Sequence, residues 1–570
     1  MVVAEELIIR KMAIKNAADY GKADYKSVLG KAIQKVPDAK KNMKDFAELV
    51  KKIVDEINLM SKEEIEKEYK KFEKEYEEYE KKKAEESKPK LYLQGAEIGF
   101  FATRFPPEPS GYMHIGHAKV AYLEQEFAKI YKGKLFLYFD DTNPEKEKEE
   151  FVNAFKKDLE WLNINFDDEY YASDNLEKVY NFAKKLIEKG KAYVCLCEPD
   201  VIKRDRFDGI ECVHREHSVE KNKELFEEML EGKFEEGKAI LRFKGDLKSP
   251  NTTMRDPTLF RIKKAYHYKQ GRKYIVWPTY DMNTPIMDSI HGITDVIRSK
   301  EYELRTDLDM AILDALELRK PRIHHEARLV INDTPTQKRV VNKLIKEKVI
   351  SSYDDPRLVT IAALRRRGIT PEAIRKFVLR FGMSKVESHM NMGMLLDENR
   401  KIIDGYSKRL FAVTNPVEVE VKTDKKDKVM LRLHPNKDMG FREYNVSNLF
   451  YISKSDAEDL KEGDKVRLKD LYNIEIEKKG DKIIARYMGN ESIDAQKIQW
   501  VEKRNYIKAK LIFPKPLLLA NRDINYNSLE IIDCFVEKYA EKLNKDEVVQ
   551  FERIGFFKLD NKESMEFIEL

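Results

Sequence analysis

Two histidines three residues apart, His114 and His117, stand in PPEPSGYMHIGHAKV (residues 106–120), just past a turn built from prolines and Gly111. At the mouth of a helix they meet unpaired N–H groups and a partial positive charge, a setting that suits phosphate. At i and i+3 they share a face of the first turn and could hydrogen-bond a nucleotide. Taken alone, such a pair also serves as surface or capping residues. Gly111 permits a close backbone approach, and the prolines make the turn rigid.

Four further groups carry chemistry. Asp140 and Asp141 in YFDDTNPEKE follow a strand, where α/β folds bind ligands; they suit an ammonium group or Mg²⁺, and equally a helix cap ahead of Pro144. Cys195, Cys197, Cys212 and His214 gather three of the chain's four cysteines into a Cys₃His set of the structural-zinc type. His217 could replace His214, and the plain alternative is three buried thiols beside a surface histidine. Tyr280, Asn283 and Arg298 lie in WPTYDMNTPIMDSIHGITDVIRSKEY, where an isolated tyrosine is more often core and an isolated arginine a surface ion pair. Lys338 and Arg339 in NDTPTQKRVVNK place two cations before a helix, able to clamp phosphates.

The elements that must position these groups follow from periodicity. IGFFATRF ends in Arg104 and reads as a buried strand; the helix after it carries Val120, Leu123, Phe127 and Ile130 on one face. Strand FLYF and a helix PEKEKEEFVNAFKKDLEWL follow, and the alternation to about residue 190 predicts a parallel α/β sheet. Residues 191–275 break the rhythm as an insertion, and YIVWPTYDM resumes it. From about 326 to 400 the chain reads helical and basic; after Phe411 short alternating strands with Gly-Asp and Asn turns predict β-barrels. The first 90 residues read as helices, with stripes Phe46-Val50-Ile53-Ile57-Met60 and Ile65-Tyr69-Phe72-Tyr76-Tyr79. The charged run ending at Pro89 reads as a long solvated helix or helical hairpin.

The 570 residues exceed one core, and about three to five domains are expected. No run approaches about 18 apolar residues, so no membrane span or membrane partner is expected. Four cysteines argue for a reducing compartment, and with no signal peptide evident the expectation is cytoplasmic. A net charge of +5 is too mild to prove nucleic-acid binding by itself.

In this order the pieces resemble the archaeal-type glutamyl-tRNA synthetases over essentially the whole chain. RFPPEPSGYMHIGHAK matches the first signature of that family, and FDDTNPEKE, PTYD…GITDVIRSKEY and DDPRL…LRRRGI match further blocks colinearly. The resemblance implies a multidomain α/β plus all-β architecture. Residues 1–95 would be an N-terminal helical region, and 96–190 and 276–325 the two halves of a Rossmann-type catalytic domain. Residues 191–275 would be an inserted acceptor-binding domain with the zinc site. Residues 326–405 would be a helical stem-contact region with the second signature, and 406–570 anticodon-binding barrels. It implies that Arg104, Asp140, Tyr280, Asn283 and Arg298 bind glutamate, and that His114, Gly116, His117, Lys338 and Arg339 contact ATP, with His114, His117 and Lys338 catalytic. Arg357, Arg365 and Arg366 would contact tRNA. ATP with Mg²⁺, structural Zn²⁺, glutamate and tRNA-Glu are the implied cofactors and partners, with tRNA-Gln open as a second acceptor and a monomer as the family expectation.

Two departures stand out. Gln337 replaces the serine of the second signature, although both cations remain, and Tyr138 stands where the family usually has arginine. MSK at 383–385 imitates the signature but follows DDPRL, so it is not read as catalytic. The rivals are a glutaminyl enzyme, a non-catalytic tRNA-binding relative, and a nucleotidyltransferase of the same fold. Arg298 favours glutamate, because the glutaminyl family typically has a small uncharged residue there.

Overall fold

The computed structural model describes residues 2–35, 43–73, 91–425 and 427–570. Residues 1–90 and 91–570 form two compact units. The first holds helices Val2–Tyr20, Tyr25–Lys35, Met43–Asn58 and Lys62–Lys70. The expected stripe is buried at Phe46, Val50, Ile53 and Ile57, and Ile65 and Phe72 join it. Ser61 and Glu64 form a capping box that starts the last helix. Tyr76, Tyr79, Pro89 and most of the charged run lie outside the described residues.

In the second unit, β1 (Ala102–Phe105), β2 (Lys134–Phe139) and β3 (Asp168–Tyr171) form a parallel sheet, with Arg104 level with Phe136. β8 (Asp295–Ser299) and β9 (Arg322–Glu326) pair in parallel, and Thr294 ties them beside β1 by donating its N–H to the Ala102 carbonyl (2.8 Å). The helix Ile115–Ile130 is buried nearly all round. Leu123 and Phe127 lie inside as expected, but Ile130 is exposed, and Ala118, Ala121, Tyr122 and Glu124 are buried on other faces. It packs in one core with helices Ile361–Arg367, Pro371–Leu379 and Met392–Ile403, which leaves only its C-terminal end, at Lys129 and Ile130, exposed.

The next helix begins at Glu149, not at Pro144, because the Glu147 carboxylate takes the Asn143 N–H (2.8 and 2.9 Å) and closes a turn there. β4 (Ala192–Cys195), β5 (Ile240–Phe243), β6 (Thr258–Ile262) and β7 (Val276–Pro278) form an antiparallel sheet. The strand in YIVWP therefore pairs with β6 and not with the parallel sheet, so a boundary at 275/276 cuts through one sheet.

Beyond residue 405 two seven-stranded mixed sheets form half-barrels. One takes its strands from 417–502; the other combines 408–414 with 506–569. Each covers its own apolar core. No helix among the described residues is long and apolar enough to cross a membrane.

Candidate active site

His114 is the N-cap of its helix and His117 its third residue. The Gly116 N–H donates to His114 Nδ1 (3.1 Å), and the His114 N–H donates to His117 Nδ1 (3.2 Å). Both Nδ1 atoms are thus acceptors, which places the ring proton of each neutral imidazole on Nε2. Burial holds His114 down to about 4, and burial together with His114 holds His117 well below its usual value. The rings stack at 3.8 Å, and Phe155 meets His117 edge-on. Gly116 is required sterically: a Cβ there would lie 2.9 Å from His114 Cε1. Gly111 is not, since a Cβ there would meet only Lys338 Cδ at 3.7 Å, an ordinary contact.

His114, His117, Phe155 and Gly111 line a pocket of about 200 Å³ with Glu108, Ser110 and Lys338. Lys338 opens the helix Lys338–Lys346; its Nζ bonds the Ser110 carbonyl and lies 4.8 Å from the Phe151 ring centroid. Burial and then Lys148 lower its pKa. Gln337 is the N-cap residue but makes no side-chain cap bond, and Arg339 is exposed. Lys385 of the imitating MSK pairs with Glu303 (2.5 Å), apart from this pocket.

At the other end, β1 delivers Arg104, β8 delivers Arg298, and the start of the helix Tyr280–Ile290 delivers Tyr280 and Asn283. Arg104 is 1% exposed and grips Asp288 through Nε (2.7 Å) and Nη2 (3.1 Å); its Nη1 has no partner. Burial works to lower its pKa, and Asp288 outweighs that and raises it. Arg298 does not pair with Asp295, which Arg322 and His324 occupy. It donates Nη1 to Asp309 (2.7 Å) and to the Tyr280 hydroxyl (3.4 Å), and Nη2 to Thr306 (2.9 Å), leaving Nε unpartnered. Asn283 donates to Asp140 Oδ1 (3.1 Å) and to the Tyr138 hydroxyl, while its own oxygen receives nothing. Tyr138 is fully buried, and as a neutral phenol fits an apolar cluster where arginine would carry a charge. Burial, then Glu108 and Asp141, lift Asp140 to about 7. Asp141 is structural, accepting from the Ser173 N–H and hydroxyl and from Tyr268 (2.8 Å each).

Asp288, Asp309 and Thr306 escape a motif-based reading. The available signal was an aspartate on an apolar helix face: Asp309 sits beside Leu308, Ile312 and Leu313, all buried.

Cys195, Cys197, Cys212 and His214 converge with all ligand atoms within 4.8 Å of one another; Cys212 Sγ lies 3.5 Å from both other sulfurs and 3.3 Å from His214 Nδ1, and Cys197 Sγ lies 3.4 Å from that nitrogen. Tetrahedral zinc with bonds of about 2.0–2.3 Å needs ligand separations of roughly 3.5–3.8 Å; these lie at or slightly below that range, so three thiols and an imidazole are gathered as a donor set of the zinc type. His217 stands beside His214 outside the set, and Cys534 is buried elsewhere.

Of the three arginines expected to meet tRNA, Arg357 is buried. Its guanidinium holds Asp355 (2.8 Å), the Ser528 hydroxyl (3.0 Å) and the Val349 carbonyl (2.7 Å), so it braces the fold and offers no surface. Arg365 pairs with Asp158 and Arg366 with Asp560; both line an open cleft of about 750 Å³ with Lys545 and Lys558.

Comparison with known proteins places this geometry. Residues 101–404 match the family model for the catalytic domain of class I tRNA synthetases (E and Q), and 407–488 and 497–560 match two models for their anti-codon binding domain. A glutamate–tRNA ligase of Nitrosopumilus maritimus is 41% identical over 97% of both chains. Those of Pyrococcus furiosus and Korarchaeum cryptofilum are 38% and 37% identical over 99% of both chains. Among solved structures, a glutamate tRNA ligase from Elizabethkingia meningosepticum is similar at 18% identity over 54% of this chain and 70% of that one (TM-score 0.39), too remote to bear on the argument. With matches of this identity spanning nearly its whole length, the chain belongs to the class I tRNA synthetases of the E and Q family.

Proposed function

We propose that this synthetase ligates glutamate to the 3′ end of tRNA-Glu through a glutamyl-adenylate. The observation that carries the amino-acid assignment is the set of unpartnered buried atoms. Arg104 Nη1 and Arg298 Nε are donors without acceptors, and Asn283 Oδ1, beside Asp140, is an acceptor without a donor. Buried polar atoms rarely stay unpaired, so a ligand with two anionic groups and one ammonium matches these atoms. Glutamine has only one carboxylate, and shape alone separates it poorly from glutamate.

The α-carboxylate of glutamate attacks the α-phosphorus of ATP. A carboxyl O–P bond forms, the bond to the bridging oxygen breaks, and pyrophosphate leaves with that electron pair. The neutral His114 and His117 serve as Nε2–H donors to phosphate oxygens, and Lys338 and Arg339 add cationic donors as charge moves toward pyrophosphate. Mg²⁺ bound with ATP would neutralise phosphate charge. A terminal ribose hydroxyl of tRNA then attacks the acyl carbon, and AMP departs. Catalysis rests on positioning and electrostatics.

In this reading β1–β3 with β8 and β9 form the Rossmann-type catalytic halves, the β4–β7 region binds the acceptor end, and the half-barrels read the anticodon. Arg365 and Arg366 face the stem. Zinc bound by Cys195, Cys197, Cys212 and His214 is structural, since protein fills all four positions. The enzyme acts as a monomer. Exchange of labelled pyrophosphate into ATP, measured with tRNA present, should depend on glutamate and not on glutamine; dependence on glutamine would overturn the assignment. Protein purified without added zinc should hold about one equivalent, and Cys212→Ser should lose it.

A further inference from the structure

The two arginines proposed for the substrate are not spare charges. Arg104 faces Asp288 and Arg298 faces Asp309, and all four side chains are at most 7% exposed. The two pairs differ in how completely they are made. Asp288 spends both carboxylate oxygens on Arg104. Asp309 spends only Oδ2, at 2.7 Å from Arg298 Nη1; its Oδ1 is buried with no donor, and Arg298 Nε is buried with no acceptor.

A substrate carboxylate arriving at Arg298 would place two buried carboxylates on one guanidinium. That leaves a net negative charge in a medium of low dielectric, which is costly. The inexpensive remedy is a proton on one carboxylate, as where two carboxylates share a site. Asp309 is the group built to take it, because Oδ1 is free and a proton there breaks no existing bond. The surroundings do not offer another carrier on this side. Tyr280, Asp281 and Asp288 on the helix Tyr280–Ile290, Thr306 and Arg305 on Asp309's own helix, and His325 on β9 are the charged and titratable neighbours, and Asp288 is held through both its oxygens by Arg104. Arg305 is committed to Asp281, and burial and then Arg298 keep His325 in its neutral form. Burial already lifts Asp309 to about 6, in the direction this requires.

We propose that glutamate binding takes up one proton, carried by Asp309 Oδ1, and that Asp309 is a specificity-determining residue whose resident charge that proton must neutralise for Arg298 to accept a substrate carboxylate. This rests on the assignment of Arg298 to the side-chain carboxylate of glutamate. Glutamine, whose side chain brings no second negative charge, would require no such proton.

The test is calorimetric titration of the full-length enzyme with glutamate, in the presence of tRNA, at about pH 8 in phosphate and in Tris. At that pH Asp140 is largely ionised already, so it contributes little release. Wild type should take up close to one proton per glutamate bound. Asp309→Asn keeps an acceptor for Arg298 Nη1 but removes the charge; it should bind glutamate several-fold more tightly at pH 8 with no uptake. Asp309→Ser should also show no uptake, and serves if the amide variant folds poorly. Wild type binding glutamate with no proton uptake, or either variant keeping it, overturns the proposal. If Arg298→Cys binds glutamate as well as wild type does, the underlying assignment fails instead.

Discussion

Around Arg104 and Arg298 each cation is buried and already faces a buried carboxylate, whereas around His114 the donors are neutral imidazoles held by their own backbone, and Lys338 is an exposed ammonium. The first arrangement fixes charge in a rigid frame between strands and helices. That suits choosing between two side chains of equal size and different charge. The second puts cationic charge at the start of a helix and, in the proposed reading, leaves fixed, uncharged N–H donors for the phosphates. That suits a step in which negative charge shifts during reaction.

The contrast can be broken most severely at Arg104. Arg104→Leu should lose about 3–5 kcal/mol of stability together with glutamate activation, because Asp288 stays buried without its partner. Lys338→Ala should leave the urea midpoint near wild type, since Lys338 is exposed and no buried charge is stranded. Equal stability losses in the two variants would erase the distinction.

Next in size, His117→Ala should lower glutamate-dependent pyrophosphate exchange by roughly 10²–10³ with tRNA affinity within a few-fold, since tRNA is held over a wide basic surface. Near-wild-type exchange would remove His117 from the phosphate site.

The smallest effect sharpens the contrast through pH. Asp140 has been raised to about 7, so it is ionised above that value and neutral below it. Only the ionised form attracts an ammonium, so glutamate affinity should fall as pH drops through 7, by up to about tenfold per unit. Asp309 opposes this with the reverse sign, so the fall should be clearest in Asp309→Asn. A flat profile in that variant between about pH 8 and 5.5 would exclude Asp140 as the ammonium partner.

How much the sequence disclosed differs between the same two regions, for a physical reason. At the ATP end the histidines, Gly116 and the turn are neighbours in sequence, and the capping that fixes them spans three residues. The motif therefore carries its own geometry. The convergence of the Cys₃His set was legible for a similar reason, since its four residues lie within twenty positions of one another. At the amino-acid end Arg104 meets Asp288 across 184 positions and Asn283 meets Asp140 across 143. No local pattern announces such partners, so the arginines were identified but their counter-ions were not. Arg357 is a different case: its partner Asp355 is only two residues away, and the fold turns the pair inward, where the Val349 carbonyl and the Ser528 hydroxyl complete its contacts. The strand at Val276–Pro278 was legible as a strand, but its partner was not, because a short apolar run fits either sheet.

The most direct test of the central claim, that this enzyme selects glutamate through fixed arginine charge, is aminoacylation of purified tRNA-Glu by wild type and Arg298→Cys with each amino acid in turn. Wild type should charge glutamate and reject glutamine, and the variant should lose at least about 2 kcal/mol of kcat/KM for glutamate, as expected when a carboxylate is left without its partner. Robust glutamine charging by wild type, or an unchanged glutamate preference in Arg298→Cys, would contradict it.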